Sequence, residues 1–252
     1  MLIKKYKDFD DMYLNLNREF LLNPGIITNV LSDSGYVENV VVGCKSYKCT
    51  LDLSTFGYKK NKWGHLLKTY IDYDELKQFY EKLRTVSGVS FTFYFNRKKV
   101  NNGSCLISVV LSRKNRNSKW NEAKVFYRVT ETQRRMAADL VMLNRFFTEL
   151  PQDICEIDKV IFFMAQCYCS AKFIHGFYDY FGIPMEDLDD SHQWIKQLKK
   201  DYERYFVKGS KVHSFQTLAR MQKLKFGLDT YPNLPIDTLS IKGFFEEKEK
   251  KK

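Results

Sequence analysis

Between Val89 and Leu150 the hydrophobic pattern changes period, from alternation to helical spacing, and few architectures accept that order of elements. Val89–Phe95 (VSFTFYF) alternates as a strand with one buried face does. Asn101-Asn102-Gly103 then supplies turn chemistry before a second apolar run, Cys105–Leu111, so a hairpin is expected. A polar loop over Arg113–Asn121 leads into another strand, Ala123–Val129. Thr130–Leu150 carries apolar residues at helical spacing until Pro151 breaks it. Strands passing directly into a helix imply an α/β (α+β) domain, a mixed sheet flanked by helices.

The rest of the chain extends this unit. Phe9–Leu22 spaces Met12, Leu16 and Phe20 as a helix would, and Asn23-Pro24-Gly25 ends it. Tyr36–Gly43 and Ser46–Leu53 read as two strands, and Tyr73–Leu83 as an amphipathic helix. Ile157–Met164 fits either a buried strand or the start of a helix. Ala171–Phe181, Ser191–Phe206 and Ser214–Phe226 are helical in pattern. With no repeat or linker, residues 1–245 are expected to form one domain, followed by a charged tail over 246–252.

At 252 residues the chain is long enough to bury a core without disulfides or metals. Six cysteines without a signal-peptide pattern imply reduced thiols and a cytoplasmic setting. No apolar run reaches the roughly 18 residues of a membrane span, so no membrane partner is expected. The net charge of +11 favours polyanions, either nucleic acid or phosphorylated small molecules. No glycine-rich phosphate loop or serine-hydrolase triad is present. The four histidines lack metal-ligand spacing, and Cys167 and Cys169 have no second pair, so no metal site is expected.

One constellation carries chemistry. Gly103-Ser104-Cys105 opens a strand, Val125-Phe126-Tyr127-Arg128 closes the next, and the following helix contains Asp139. A thiol, an anion clamp and a carboxylate would share one cleft. This order resembles thymidylate synthases and the related pyrimidine hydroxymethylases. In that family a strand-borne cysteine precedes an arginine at a strand end and a base-reading amide or carboxylate on the next helix. Arg128 follows Cys105 by 23 residues, and Asp139 follows Arg128 by 11, the second interval matching the family's. Ala165-Gln166-Cys167-Tyr168 resembles the family segment that touches the deoxyribose hydroxyl, with Gln166 in the place of its histidine. Arg84 stands 21 residues before Cys105, where the family keeps arginines that reach the neighbouring subunit's phosphate. The resemblance spans residues 9–182, with its core motifs in 84–170, and extends to divergent phage-encoded members, which would place the protein in a host cytoplasm.

The resemblance implies a pyrimidine nucleotide monophosphate as substrate, 5,10-methylenetetrahydrofolate as the one-carbon donor, and a homodimer. Cys105 would add at C6, because C5 of a pyrimidine is not nucleophilic until a group adds there, and a thiolate adds and leaves near neutral pH. Arg128 and a partner copy's Arg84 would hold phosphate, Asp139 would read the base, and Gln166 and Tyr168 would meet the sugar. Thymidylate synthases have asparagine where Asp139 stands; a carboxylate there marks deoxycytidylate hydroxymethylases and favours cytosine. The family's helix with glutamate, leucine and tryptophan, and its glutamine after the cysteine, are not recognisable.

Each residue also has a plainer reading. Cys105 is then a small hydrophobe on a buried strand, the arginines are solvated, and Asp139 caps a turn or pairs with Arg135. Arg134 and Arg135 are expected to face solvent. The functional alternative is a catalytically silent nucleic-acid-binding or assembly protein.

Overall fold

The computed structural model describes residues 1–53, 58, 60–95, 105–171, 181, 183–204 and 240–250. The turn at 101–103, most of the helix expected over 171–181, and the helix expected over 214–226 lie outside them.

A mixed sheet is the frame. Its strands are β1 (Leu2–Tyr6), β2 (Asn29–Leu31), β3 (Ser34–Cys44), β4 (Ser90–Tyr94), β5 (Leu106–Ser112), β6 (Trp120–Glu131) and β7 (Cys155–Ser170). They lie in the order β1-β3-β7-β6-β5-β4, with β2 folded back on β3. β1 runs parallel to β3 and β6 parallel to β7, while the β3–β7, β5–β6 and β4–β5 pairs are antiparallel. The expected hairpin therefore pairs as anticipated, Phe93 opposite Val109. The run over Ile157–Met164, left open between strand and helix, is the middle of β7, whose β-branched Val160 and Ile161 and aromatic Phe162 and Phe163 suit a sheet interior.

Among the described residues the helices are α1 (Phe9–Leu22), α2 (Lys60–Tyr70), α3 (Tyr73–Thr85), α4 (Arg135–Thr148), α5 (Gln193–Tyr202) and α6 (Ile241–Glu249). In α1 the Asp8 side chain caps the Asp11 N–H at 2.9 Å, and Asp10 and Asp11 lie in the first turn, where the helix dipole favours negative charge. Its stripe of Phe9, Met12, Leu16 and Phe20 is fully buried against the sheet, with the Phe9 ring edge-on to Phe162 at 5.3 Å. Asp72 caps α3 through the N–H groups of Asp74 and Glu75.

Three expectations need correction. Ser46–Leu53 forms no strand. Its backbone runs along the start of α1 instead, where Lys48 C=O accepts from Phe9 N–H at 3.1 Å and the Asp10 carboxylate takes both the N–H and the hydroxyl of Thr50. The helix expected from Thr130 begins only at Arg135, because Thr130 and Glu131 still belong to β6. Finally, α6 continues through Glu246 to Glu249, into the run expected to be a tail. Two contacts fix it: Glu149 accepts from Ile241 and Lys242 N–H, and Phe245 stacks on Tyr73 at 4.9 Å.

The central strands share a break in phase. In β3 the buried positions are Val40, Val42 and Cys44 on one side of the break and Gly35 and Val37 on the other. In β7 the alternating buried positions around the break are Val160, Phe162 and Met164, then Cys167 and Cys169, with Cys155 and Ser170 buried at the strand's ends. The slip falls at Glu38–Asn39 and Ala165–Gln166, where Glu38 pairs with Gln166, and Asn39 has the left-handed φ of 55°. Beyond it, α5 covers the Gly35 side: a Cβ there would lie 2.8 Å from the Trp194 ring, whose indole N–H donates to Phe20 C=O at 2.9 Å. Tyr36 and Tyr168 take the other side and stack at 5.2 Å. That side is left open.

Candidate active site

A cavity of about 1190 Å³ opens where β3 begins and β6 and β7 finish, against α2 and the first turns of α4. Its floor is the Tyr36–Tyr168 stack, α2 contributes Lys62 and His65, and α4 contributes Arg135 and Asp139. The size exceeds a typical ligand site's upper range of about 1000 Å³.

The link between β6 and α4 is rigid, and Glu131 makes it so. Its carboxylate accepts the N–H groups of Gln133, Arg134 and Arg135 at 2.9–3.1 Å, the donors a helix start leaves unpaired. Burial pushes this carboxyl up, and those three N–H groups pull it back down. From α1, Tyr13 donates its hydroxyl to Gln133 C=O at 2.6 Å and Asn17 donates to Thr132 C=O at 3.1 Å. Gln133 donates in turn to the Cys169 thiol and accepts from Ser170 N–H. The first turn of α4 is thereby fixed against strand ends and α1 together.

One turn further along α4, Asp139 is only 2% exposed, and its Oδ2 has no hydrogen-bond partner among the described residues. Burial pushes its carboxyl up to about 8, with Arg135 opposing the rise and Glu131 adding to it. Near neutral pH the group is a carboxylic acid, offering one O–H donor and one C=O acceptor. Two phenols belong to the same corner: Tyr70 from α2 and the buried Tyr127 from β6. Burial raises both above the ordinary phenol, with Asp139 the next contributor in each case and Cys105 a further one.

Cys105 sits half-buried just ahead of β5, and the Arg135 guanidinium donates to its sulfur, Nη1 to Sγ, at 3.8 Å. Arg135 thus touches the thiol and lines the cavity. Of the residues singled out in the sequence, Asp139 and Tyr168 line the cavity, and Cys105 reaches it through its contact with Arg135 without lining it. Arg128 is linked to Cys105 through the backbone, its N–H donating to Cys105 C=O at 2.9 Å, but its side chain is exposed and strand alternation turns it away from Tyr127. Gln166 lies mid-strand at the phase break, between Glu38 and Val129, outside the cavity lining. Arg84 is at the opposite end of the sheet, where both guanidinium nitrogens engage the Asp153 carboxylate.

Sequence reading missed the rest of the lining. Arg135 is exposed as expected and Arg134 half-buried, and both also line the cavity, since the helix starts five residues later than anticipated. The whole of α2 went unread. Its signal was Trp63, Leu67 and Ile71 at four-residue spacing, all buried, with Lys62, His65 and Thr69 on the face toward the cavity.

No family model and no curated protein matches the chain. Among solved structures, thermostable thymidylate synthase A from Bacillus subtilis is similar at a TM-score of 0.43 and 10% identity, covering 69% of this chain and 83% of that one. The functional reading therefore rests on the geometry of the cavity. None of the described helices is long and apolar enough to cross a membrane.

Proposed function

We propose that the cavity binds a pyrimidine deoxynucleotide, such as deoxycytidylate or deoxyuridylate, and that Cys105 adds to its C6 so that a one-carbon unit can be joined at C5. The observation that carries this reading is the corner itself. A half-buried thiol touches a guanidinium that lines the cavity, and a buried carboxyl with one oxygen unpartnered lines the same cavity. Bonding of Cys105 sulfur to C6 would shift the C5–C6 electron pair to C5, which then takes the new carbon. Loss of the C5 proton returns that pair and lets sulfur leave.

A neutral Asp139 changes the expected base preference. Its donor and acceptor match the N3 and 4-substituent edge of uracil, O–H to O4 and C=O from N3–H, and equally that of cytosine with the roles exchanged. Only the ionised form demands cytosine, and then with N3 protonated. Tyr168, backed by Tyr36, would offer its hydroxyl to the sugar, and Arg134 and Arg135 stand where an anionic group would lie. Arg128 and Arg84 would take part only in a site shared with a second copy. The half-buried Phe126–Phe163 stack, 5.1 Å apart on β6 and β7, offers such a copy an aromatic surface.

Methylenetetrahydrofolate would supply the one-carbon unit, and the cavity fits a second aromatic, anionic reactant. Its volume leaves room beside a nucleotide, and Lys62 and His65 line the α2 wall. The test is tritium release from C5 of each labelled pyrimidine monophosphate with methylenetetrahydrofolate present. Release by wild type and none by Cys105→Ser supports the assignment; release that survives the substitution discards it. The competing reading, a silent nucleic-acid binder, draws on the +11 charge and on stacked tyrosines beside arginines.

A further inference from the structure

Cys105 requires a cation, and the chain supplies one that the strand pattern did not indicate. Arg128 precedes the cavity along β6 and is not part of its lining. Arg135, seven residues later, has its Nη1 3.8 Å from the sulfur and its guanidinium in the cavity wall. Its backbone is immobilised, since its N–H donates to Glu131 at 3.0 Å and Glu131 is held by two further N–H groups. The Glu131 carboxylate is thus saturated by backbone donors. Asp139, the other carboxyl on this wall, is buried with Oδ2 unpartnered and faces the same space.

We propose that Arg135 is the positioning residue of the thiol: lining the cavity itself, its guanidinium holds Cys105 sulfur next to it and presents positive charge to whatever anion approaches that sulfur. The inference rests on the reading of Cys105 as the nucleophile of a nucleotide site. Its consequence is directional. An anionic electrophile gains from the charge, and a neutral electrophile of the same size does not. Transfer of the guanidinium role from a strand residue to the first turn of α4 places it on the most firmly pinned backbone of the site.

The experiment compares alkylation of Cys105 by iodoacetate, an anion, and iodoacetamide, its neutral analogue, read peptide by peptide by mass spectrometry so that Cys49 is scored separately. The thiolate attacks the carbon of either reagent and displaces iodide, so the thiolate fraction cancels in the ratio of their rates. That ratio is expected to fall about fivefold in Arg135→Gln, the effect of one unit charge at roughly 4 Å in a water-like medium, and to be largely kept in Arg135→Lys. In wild type it should fall as salt is raised from about 0.05 to 1 M, as screening shortens. An unchanged ratio in a folded Arg135→Gln overturns the proposal. Should that variant lose its cooperative melt, a wild-type ratio indifferent to salt overturns it as well. No nucleotide enters the measurement. A charge-dependent ratio alongside failed nucleotide binding would therefore retire the substrate reading and leave the Arg135–Cys105 pair standing.

Discussion

The two ends of the parallel pair β6 and β7 treat charge in opposite ways. Where the strands begin, the cations are spoken for. Arg84 is joined to Asp153, Lys119 to Glu156, and Lys124 and Lys159 to Glu122. The Arg113 guanidinium donates to the carbonyls of Val86 and Gly88 and lies over the Trp120 ring at 4.3 Å. Where the strands finish, a carboxyl is buried with an oxygen unpartnered, and an arginine rests against a thiol. Burying a carboxyl without a partner costs stability, and this contrast between the two ends is why the proposed ligand site is put at the second.

Four substitutions break or sharpen that contrast. The largest effect is expected from Cys105→Ser, which should reduce C5 tritium release to background while leaving the thermal melt close to wild type, since the side chain is only half-buried. Gly35→Ala should be a pure loss of stability, on the order of 1–3 kcal/mol by denaturant titration. Its new methyl would meet the Trp194 ring at 2.8 Å on the packed side of the phase break, away from the cavity.

Asp139→Asn tests the unpaired carboxyl through pH. The folded group titrates at about 8, far above its ordinary 3.8, so the folded state holds the proton more tightly than the unfolded chain. The stability from that proton is complete below the unfolded value and is lost as pH rises through the folded one. Wild type should therefore weaken between about pH 4 and 8, by at most about 1.4 kcal/mol per pH unit. In Asp139→Asn the decline should be shallower, with Glu131 and Glu149, both raised by burial, accounting for what remains. An identical slope in both proteins would show that Asp139 is ionised throughout. The smallest effect belongs to Arg84→Gln. Breaking an exposed pair with Asp153 should lower the melting temperature slightly, and less in high salt. Nucleotide affinity should not change if the cavity relies on cations of its own chain. A tenfold loss would instead place Arg84 in a site shared between two copies.

How much of this was legible in the sequence follows from where the information lies. Elements with an uninterrupted period were readable: α1, α3, the β4–β5 pair and the core of β6 are set by alternation or by helical spacing. The start of α4 was not, because Thr130 and Glu131 are paired along β6 and the helix is capped from the strand by Glu131, a contact that no periodicity reports. Cys105, Asp139 and Tyr168 were singled out by type and spacing, and the fold sets Asp139 and Tyr168 in the cavity lining and Cys105 against Arg135. Arg135 was missed because its role depends on the direction in which α4 leaves the sheet. α2 was missed because Gly64 and three lysines obscure its apolar stripe. The Gly64 position earns its place through a neighbour 180 residues away: a Cβ there would meet the Phe244 ring at 2.7 Å.

The claim on which the rest depends is that the open end of the sheet receives a single pyrimidine mononucleotide. Thermal unfolding in rising concentrations of deoxycytidylate or deoxyuridylate tests it most directly, with long single-stranded DNA over a range of salt as the comparison. The account expects saturable stabilisation by a mononucleotide that weakens in Asp139→Ala. Stabilisation by long DNA alone, steeply lost with salt and indifferent to every pyrimidine monophosphate, would contradict it.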